Sequence, residues 1–417
     1  MINAQIHHWH NLILAKGMEL VGGYPYWLIK NGIPYEYPKL LQNVKCKVVI
    51  IGGGISGALT AYCVTRAGIE CMVVDARSIA LGSTCASTSL LQYELDIPLH
   101  QLTKIVGRSN AIRSYQLCGE AVDKLIDLMT QLEFTDFERR MSLYFSRHRR
   151  QKKFIEKEWR ARQDAGFDVQ LLTATEMKQG YGLQAEYGIL SQKGATNNAY
   201  KLTHEILQYC LAQGCKVFDR TSIKRIIHQK EYIHLETEEG CRITAKHAVN
   251  ATGYEVVQFI DKGIVDLDCT YAIISESRAE EKPQWKDSIM MWNTDDPYLY
   301  MCSAPGNRIV VGGRDEPFTN ATTMHDYLHK KESQLKKDFE KLFLGLSFKT
   351  EFSWSGVFGK TKDSLPYIGP YSKTPRTFYA LGFGGNGITF SLVAAEIITD
   401  LLLGKKNMDA EIFSFSR

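Results

Sequence analysis

Apolar and polar residues alternate along this chain in two rhythms. Short uninterrupted apolar runs suit strands covered on both faces, and longer stretches with apolar residues at helical spacing suit helices laid over a sheet. Val48–Ile51 is the clearest strand. The residues from Ile55 to about Ala67 form a helix with small Ala58 and Ala61 turned inward and Gly68 as its stop. Cys71–Val74 is a second buried strand. Residues 100–165 carry helical spacing with charged faces. From about Asn197, helix and strand alternate again: a helix over Tyr200–Gln213, a strand at Lys216–Phe218, then strands Ile223–Ile227, Tyr232–Thr237 and Arg242–Asn250 joined by turns. Strands Tyr271–Ser275 and Arg308–Gly313 precede a charged amphipathic helix over Thr323–Leu344. The last helix starts near Gly387 and stops at Gly404. Glu396 and Asp400 within it mark a packed helix rather than a membrane span.

Glycines punctuate this pattern where a phosphate ligand needs them. Gly52, Gly54 and Gly57 follow the first strand in the spacing G-x-G-x-x-G. The first permits a tight turn, the second lets backbone approach a pyrophosphate, and the third lets the helix lie close to the sheet. The helix N-terminus then faces the phosphates. Asp75 ends the second strand, where an acid grips a pair of ribose hydroxyls. Strand, glycines, helix, strand and acid in this order over about 30 residues specify dinucleotide binding. Leu81–Ser89 is rich in small hydroxyl residues, right for a loop that passes a flat ligand and donates to its phosphates. Leu91–Asp96 alternates, so a strand there puts Gln92, Glu94 and Asp96 on one face, toward solvent or a pocket. A second glycine turn, Leu381–Ile388, opens the last helix and implies that both ends of the chain converge on one ligand.

The expected fold class is therefore α/β: a Rossmann-like dinucleotide-binding domain with a second α+β substrate domain on a mixed or antiparallel sheet. The first is expected to be discontinuous, from residues 46–92, 197–262 and 350–417. The second takes 93–196 and 263–349, and 1–45 is an N-terminal extension.

Composition narrows the chemistry. With 417 residues, two or three intertwined domains are expected rather than one core. A net charge of +4 is too small to argue for nucleic acid or a membrane surface. The most basic cluster, Arg147–Arg150 with Lys152 and Lys153, runs into Glu156 and Glu158 and reads as a solvated helix start. Ten cysteines without a C-x-x-C pair read as reduced thiols of a cytoplasmic protein, with neither a disulfide frame nor a zinc site. His7, His8 and His10 have no carboxylate or thiol near by, so no metal is expected there. Tyr24–Trp27 and Tyr35–Pro38 are expected to form an extended surface arm with its aromatics buried. No signal peptide is expected at the start of the chain.

Four patches together resemble the D-amino-acid oxidase superfamily of FAD-dependent oxidoreductases, which includes sarcosine oxidases, glycine oxidases and dimethylglycine dehydrogenases. They are the fingerprint through Asp75, the Gly82–Ser89 loop, Asn250–Gly253, and Lys360–Ser391. In the last, Thr361-x-Asp363-x-x-Pro366-x-Ile368-Gly369 followed by Gly384-Gly385-Asn386-Gly387-Ile388 is similar to the family's C-terminal flavin motif. The closing Ile412–Arg417 also looks like the ends of several members. The resemblance implies that Gly52, Gly54, Ile55, Ser56 and Gly57 hold the pyrophosphate, and that Asp75, Ala76 and Arg77 hold the adenosine ribose. It puts Ser83, Thr84, Ser87 and Thr88 beside the phosphates and flavin, Ile223 at the adenine edge, and Ala251, Thr252 and Gly253 on the opposite side. Gly384, Gly385, Asn386, Gly387, Ile388 and Thr389 would lie at the flavin, with the helix dipole near its N1–C2=O edge. In this superfamily the second domain's sheet roofs the flavin's reactive face. Arg314, after Gly312 and Gly313, would there clamp a substrate carboxylate. Tyr271, Tyr298 and Tyr300 would supply hydroxyls, and Gln92 or Glu94 would meet an amino group. The alternative for Arg314 is a surface ion pair with Asp315 or Glu316.

Departures from the family set further expectations. Sarcosine oxidases attach FAD through a cysteine shortly before the Thr-x-Asp segment, but no cysteine follows Cys302 here. Dimethylglycine dehydrogenases use a histidine in the Gly-Ser-Thr loop, where this chain has Ala86 or Cys85. FAD is thus expected to bind without a covalent link. Sarcosine oxidases place a carboxylate-binding lysine at the position of Thr389 and an oxygen-activating lysine near Val310. Both are missing, so sarcosine is not the expected substrate, and O2 and a redox carrier stay open as acceptors. The expected activity is oxidation of a C–N bond in an amino acid or amine by hydride transfer to flavin N5, followed by imine hydrolysis. The alternatives are a nicotinamide-dependent dehydrogenase and a flavin-bound protein without turnover.

Overall fold

The computed structural model describes residues 19–255, 260, 263–277 and 289–417; His7, His8 and His10 lie outside the described residues. The fingerprint strand widens to Val44–Ile51 and sits inside an eight-stranded sheet. Its neighbours, Cys71–Val74 and Arg242–Asn250, both run parallel to it, with Val48 opposite Cys71 and Ile51 opposite Asn250. Lys216–Phe218 continues the parallel run on one side. On the other, Ile233–Thr237 and Ile223–His228 add on as antiparallel strands. Thr377–Leu381 pairs in parallel with the end of Arg242–Asn250 and carries Tyr367–Pro370 with it.

Unalternated strands need cover on both faces, and Val48, Val49 and Ile50 are each 1% exposed or less. Helices Ile55–Arg66, Ala199–Ala212 and Gly387–Leu402 cover one face. Gly57 lets the first of them close on the strand, because a Cβ there would run into the Gly52 carbonyl oxygen. Ser56 Oγ and Ser391 Oγ are 2.6 Å apart, so helices from opposite ends of the chain meet. The segment Gly384–Leu402 is long and apolar enough to cross a bilayer, and here most of it is buried against Ile55–Arg66 and Arg108–Gln131.

The second sheet has nine strands. Their order is Val21–Gly23, Thr350–Lys360, Asp266–Ser275, Arg308–Pro317, Leu299–Ala304, Ile289–Asn293, Met141–Ser146, Tyr187–Ser191 and Val169–Thr173. All pairings are antiparallel except that of Ile289–Asn293 with Met141–Ser146. Alternation sorts its faces. Cys269, Tyr271, Ile273, Leu299, Met301, Ile309 and Val311 share the core under the helix Ala321–Leu342. Thr270 and Tyr300 line a cavity on the other side.

Four expectations about local structure change. Residues 350–360, grouped above with the dinucleotide-binding stretches, form a strand of the nine-stranded sheet, and the N-terminal stretch supplies its edge. The surface arm is not simply extended: it is the edge strand Val21–Gly23 and a short helix, Tyr26–Asn31. Burial of Tyr26, Trp27 and Tyr37 draws it inward, and Tyr37 Oη lies 3.2 Å from His204 Nδ1. The strand expected over Leu91–Asp96 is only Leu90–Leu91. Its alternation ends because Tyr93 stacks on Phe167 at 4.1 Å and Glu94 turns to the buried Arg162. The hydroxyl-rich loop is one helical turn, Ser83–Ala86, pinned by Trp354 Nε1 donating to the Ala86 carbonyl at 2.8 Å.

Candidate active site

A cavity of about 710 Å³ is lined by residues of both sheets. Every residue expected at FAD lines it except Gly57 and Thr389. Gly57 is where helix and strand touch. Thr389 is buried, with Oγ1 donating to the Asn386 carbonyl at 3.1 Å.

One end is built from backbone. Asp75 accepts from the Gly53 N–H at 2.6 Å and the Arg77 N–H at 2.8 Å. Burial pushes its carboxyl up to about 6, against the pull of those two bonds and of the Arg77 charge. A carboxylate has about four lone-pair sites, so two remain for a pair of ribose hydroxyls. Thr84 Oγ1 accepts the Ile55 N–H at 3.0 Å, and a Cβ on Gly54 would crowd that oxygen at 2.9 Å. A Cβ on Gly52 would run into the Ala251 carbonyl. Bare backbone, a helix N-terminus and a buried acid together fit the diphosphate and adenosine of FAD. Arg77 is turned to Glu255 in a two-pronged pair at 2.6 and 2.9 Å.

The other end is built from side chains. Asn386 Nδ2 donates to the Glu94 carbonyl at 2.9 Å and the Gln92 carbonyl at 3.2 Å, which clamps that segment to the C-terminal glycine turn. Asp96 Oδ2 accepts the Gly385 N–H at 2.9 Å. The Tyr298 and Tyr300 rings are 5.9 Å apart, and Gly312 leaves room for the second of them. Thr270 Oγ1 is 3.4 Å from Tyr300 Oη. Trp292 stacks on Tyr144 at 4.1 Å. Lys360 Nζ is 2.5 Å from Asp268. Arg162 lies fully buried beneath these rings, 2.7 Å from Glu158 and 3.3 Å from Glu94. Burial alone would raise the Glu158 carboxyl; Arg162 and His100 outweigh it and hold the group down at about 2.

Two expected substrate residues are elsewhere. Arg314 does not line the cavity. It sits in a bulge opposite Thr270 with φ of 59° and pairs with Asp338 of the long helix at 2.5 Å. Its expected alternative partners were Asp315 and Glu316; it pairs with neither, and Glu316 is taken by Lys331 at 2.6 Å. Tyr271 is 1% exposed in the core under the same helix, with Lys331 Nζ 5.3 Å from its ring centroid. Strand parity explains this, since Thr270 and Tyr271 must face opposite ways. Gln92 and Tyr298 do line the cavity. Asp96, Thr270, Trp292 and Lys360 line it too, although none of them had an expected substrate role. Asp96 shared the polar face read at Leu91–Asp96, and counting back by one from Tyr271 would have found Thr270.

A mostly parallel sheet with a glycine turn at its fingerprint strand, sharing one cavity with a second sheet, is the arrangement of a dinucleotide-binding protein. The chain belongs to the DAO family, FAD dependent oxidoreductases, whose family model matches residues 47–401. It is therefore an FAD-dependent oxidoreductase, and the nicotinamide alternative is set aside. Among its relatives, the putative Rieske 2Fe-2S iron-sulfur protein YhfW of Bacillus subtilis is 22% identical over 399 residues, which cover 94% of this chain and 75% of that protein. Gamma-glutamylputrescine oxidoreductase of Escherichia coli is 21% identical over 386 residues, covering 90% of this chain and 87% of that one. The L-proline dehydrogenase structure from P. horikoshii superposes with a TM-score of 0.76 at 19% identity, over 90% of this chain and 97% of that one. At that identity the likeness is one of fold.

Proposed function

We propose that this protein oxidises the C–N bond of an amino acid or amine, with FAD held non-covalently along the cavity and substrate lodged under the Tyr298–Tyr300 roof. The observation that carries this reading is one continuous cavity running from Asp75 and the first glycine turn, past Gly384–Ile388, to that roof. The names of the relatives above include an amine compound and an amino acid. Bound FAD would supply the acceptor for the hydride from the carbon beside the substrate nitrogen.

The chain's own residues position and shield. Gly52, Gly54 and Ser56 bring backbone and a helix N-terminus to the diphosphate. Asp75 would accept from the ribose hydroxyls, and Asn386 fixes residues 92–94 against the C-terminal turn. Tyr298, Tyr300 and Trp292 exclude water and hold the substrate in reach. Cys85 supports the non-covalent reading. It is 2% exposed, bonded to the Gly82 carbonyl at 3.2 Å, and burial pushes its thiol up to about 12. All ten cysteines are unpaired, which supports a reducing, cytoplasmic setting. The electron acceptor is O2 or a redox carrier.

Anaerobic incubation of the yellow holoenzyme with a panel of amino acids and amines tests the proposal. At least one should bleach the flavin absorbance, and bleaching by none overturns it. Acid precipitation should leave all flavin in the supernatant, whereas a yellow pellet overturns the non-covalent attachment.

A further inference from the structure

Among the described residues, the roof end of the cavity is short of positive charge. Asp268, Asp315 and Asp96 all act on a single lysine, Lys360, whose Nζ is committed to Asp268 at 2.5 Å. Lys360 and Arg77 are the only cations lining the cavity among the described residues, and Arg77 lies at the Asp75 end with Glu255. Asp96 lines the cavity with the Gly385 N–H as its partner and no cation within 4 Å among the described residues. Both Asp315 oxygens are buried without a formed hydrogen bond. Burial pushes that carboxyl up to about 6, and the Thr270 hydroxyl beside it offsets only part of the effect. Glu94, 3% exposed on the cavity wall, gives one oxygen to Arg162 and leaves Oε2 without a hydrogen bond. Arg162 itself is shared between Glu94 and Glu158.

Buried carboxylates in this excess repel one another, and a cation brought among them is attracted to each. A substrate carboxylate would add to the repulsion, and Arg314, the side chain expected to receive it, is paired outside the cavity. The Tyr298, Tyr300 and Trp292 rings at the same end suit an ammonium group rather than an anion.

We infer that the substrate is a carboxylate-free amine that enters as an ammonium cation, with Asp96 as its anchor and Asp315 adding to the field; the ammonium passes one proton to the Asp96 carboxylate, and the neutral amine is the form whose C–H is oxidised. This rests on the reading that the roof end is the substrate end.

The test uses FAD-loaded enzyme and three probes: pentylamine, norleucine (pentylamine with a carboxylate added) and pentanoate. Binding is followed by perturbation of the flavin absorbance and by calorimetry. Pentylamine should bind at least about ten-fold tighter than either enantiomer of norleucine, and pentanoate should not compete. Asp96→Asn keeps an amide oxygen for the Gly385 N–H, so it should retain FAD yet bind pentylamine about ten-fold more weakly. Should that variant fail to fold, Asp315→Asn carries the same comparison. Norleucine or pentanoate binding as tightly as pentylamine overturns the inference, as does a folded Asp96→Asn with unchanged pentylamine affinity. Tight pentylamine binding with no flavin bleaching by any amine or amino acid supports the cation site and counts against C–N oxidation. Bleaching by norleucine but not by pentylamine does the reverse.

Discussion

The two ends of the cavity are held together by different means. At the dinucleotide end the contacts are made by main chain: Gly53 and Arg77 N–H groups on Asp75, the Ile55 N–H on Thr84, and glycines where a Cβ would collide. At the roof end the contacts are made by side chains that reach distant segments. Asn386 reaches residues 92–94, Lys360 reaches Asp268, and Arg162 reaches Glu94. A ligand of fixed shape is met by backbone geometry that few residues besides glycine permit. A small substrate is met by charges whose balance is set by burial and by which partners lie near. The first end is stiff by sterics, and the second depends on buried ion pairs, which fail badly when one partner is removed.

The roof end is most vulnerable at Arg162. Arg162→Met leaves Glu94 and Glu158 buried without a counter-charge, and about 3–5 kcal/mol of stability should be lost at pH 7, read from the urea midpoint. The pH dependence carries a sign. The Glu158 carboxyl falls from 4.5 to about 2 on folding. Its stabilisation is therefore complete above pH 4.5 and lost as pH falls toward 2, while Glu94, raised by burial, works against it. The gap between wild type and variant should accordingly narrow from pH 4.5 downward. A constant gap would show that Arg162 does not hold Glu158 ionised.

Asp75→Ala sharpens the contrast at the other end. Each hydrogen bond to a charged acceptor is worth about 1.5–3 kcal/mol at most. FAD affinity should fall about ten- to a hundred-fold in apoprotein reconstitution, with the fold intact. Unchanged affinity would remove Asp75 from the site. The smallest effect belongs to Arg314→Leu. Its pair with Asp338 is partly exposed, so about 1 kcal/mol or less of stability is at stake. Binding of norleucine and pentylamine should not move, and a ten-fold loss confined to norleucine would return Arg314 to the role of carboxylate clamp.

The dinucleotide end was legible in the sequence because its glycine motif and its acid fall within one strand–turn–helix–strand run. Gly57 closes on the Gly52 carbonyl within that run, so residue identity alone determined the turn, the helix Ile55–Arg66 and the strand Cys71–Val74, whereas the approach of Gly52 to Ala251 and of Gly54 to Thr84 came with the fold. The roof was decided by tertiary structure. Tyr271 went to the core and Thr270 to the cavity because the strand begins at Asp266 and helix Ala321–Leu342 claims one of its faces. Arg314 went to Asp338 because a bulge carries it past the register at which the cavity begins. Residues 92–96 left their alternation because Phe167, Arg162 and Gly385, all remote in the chain, offered better partners. A local pattern records which residues want burial; which partners burial supplies, and so where charge is left unbalanced, depends on segments that meet only when the chain has folded.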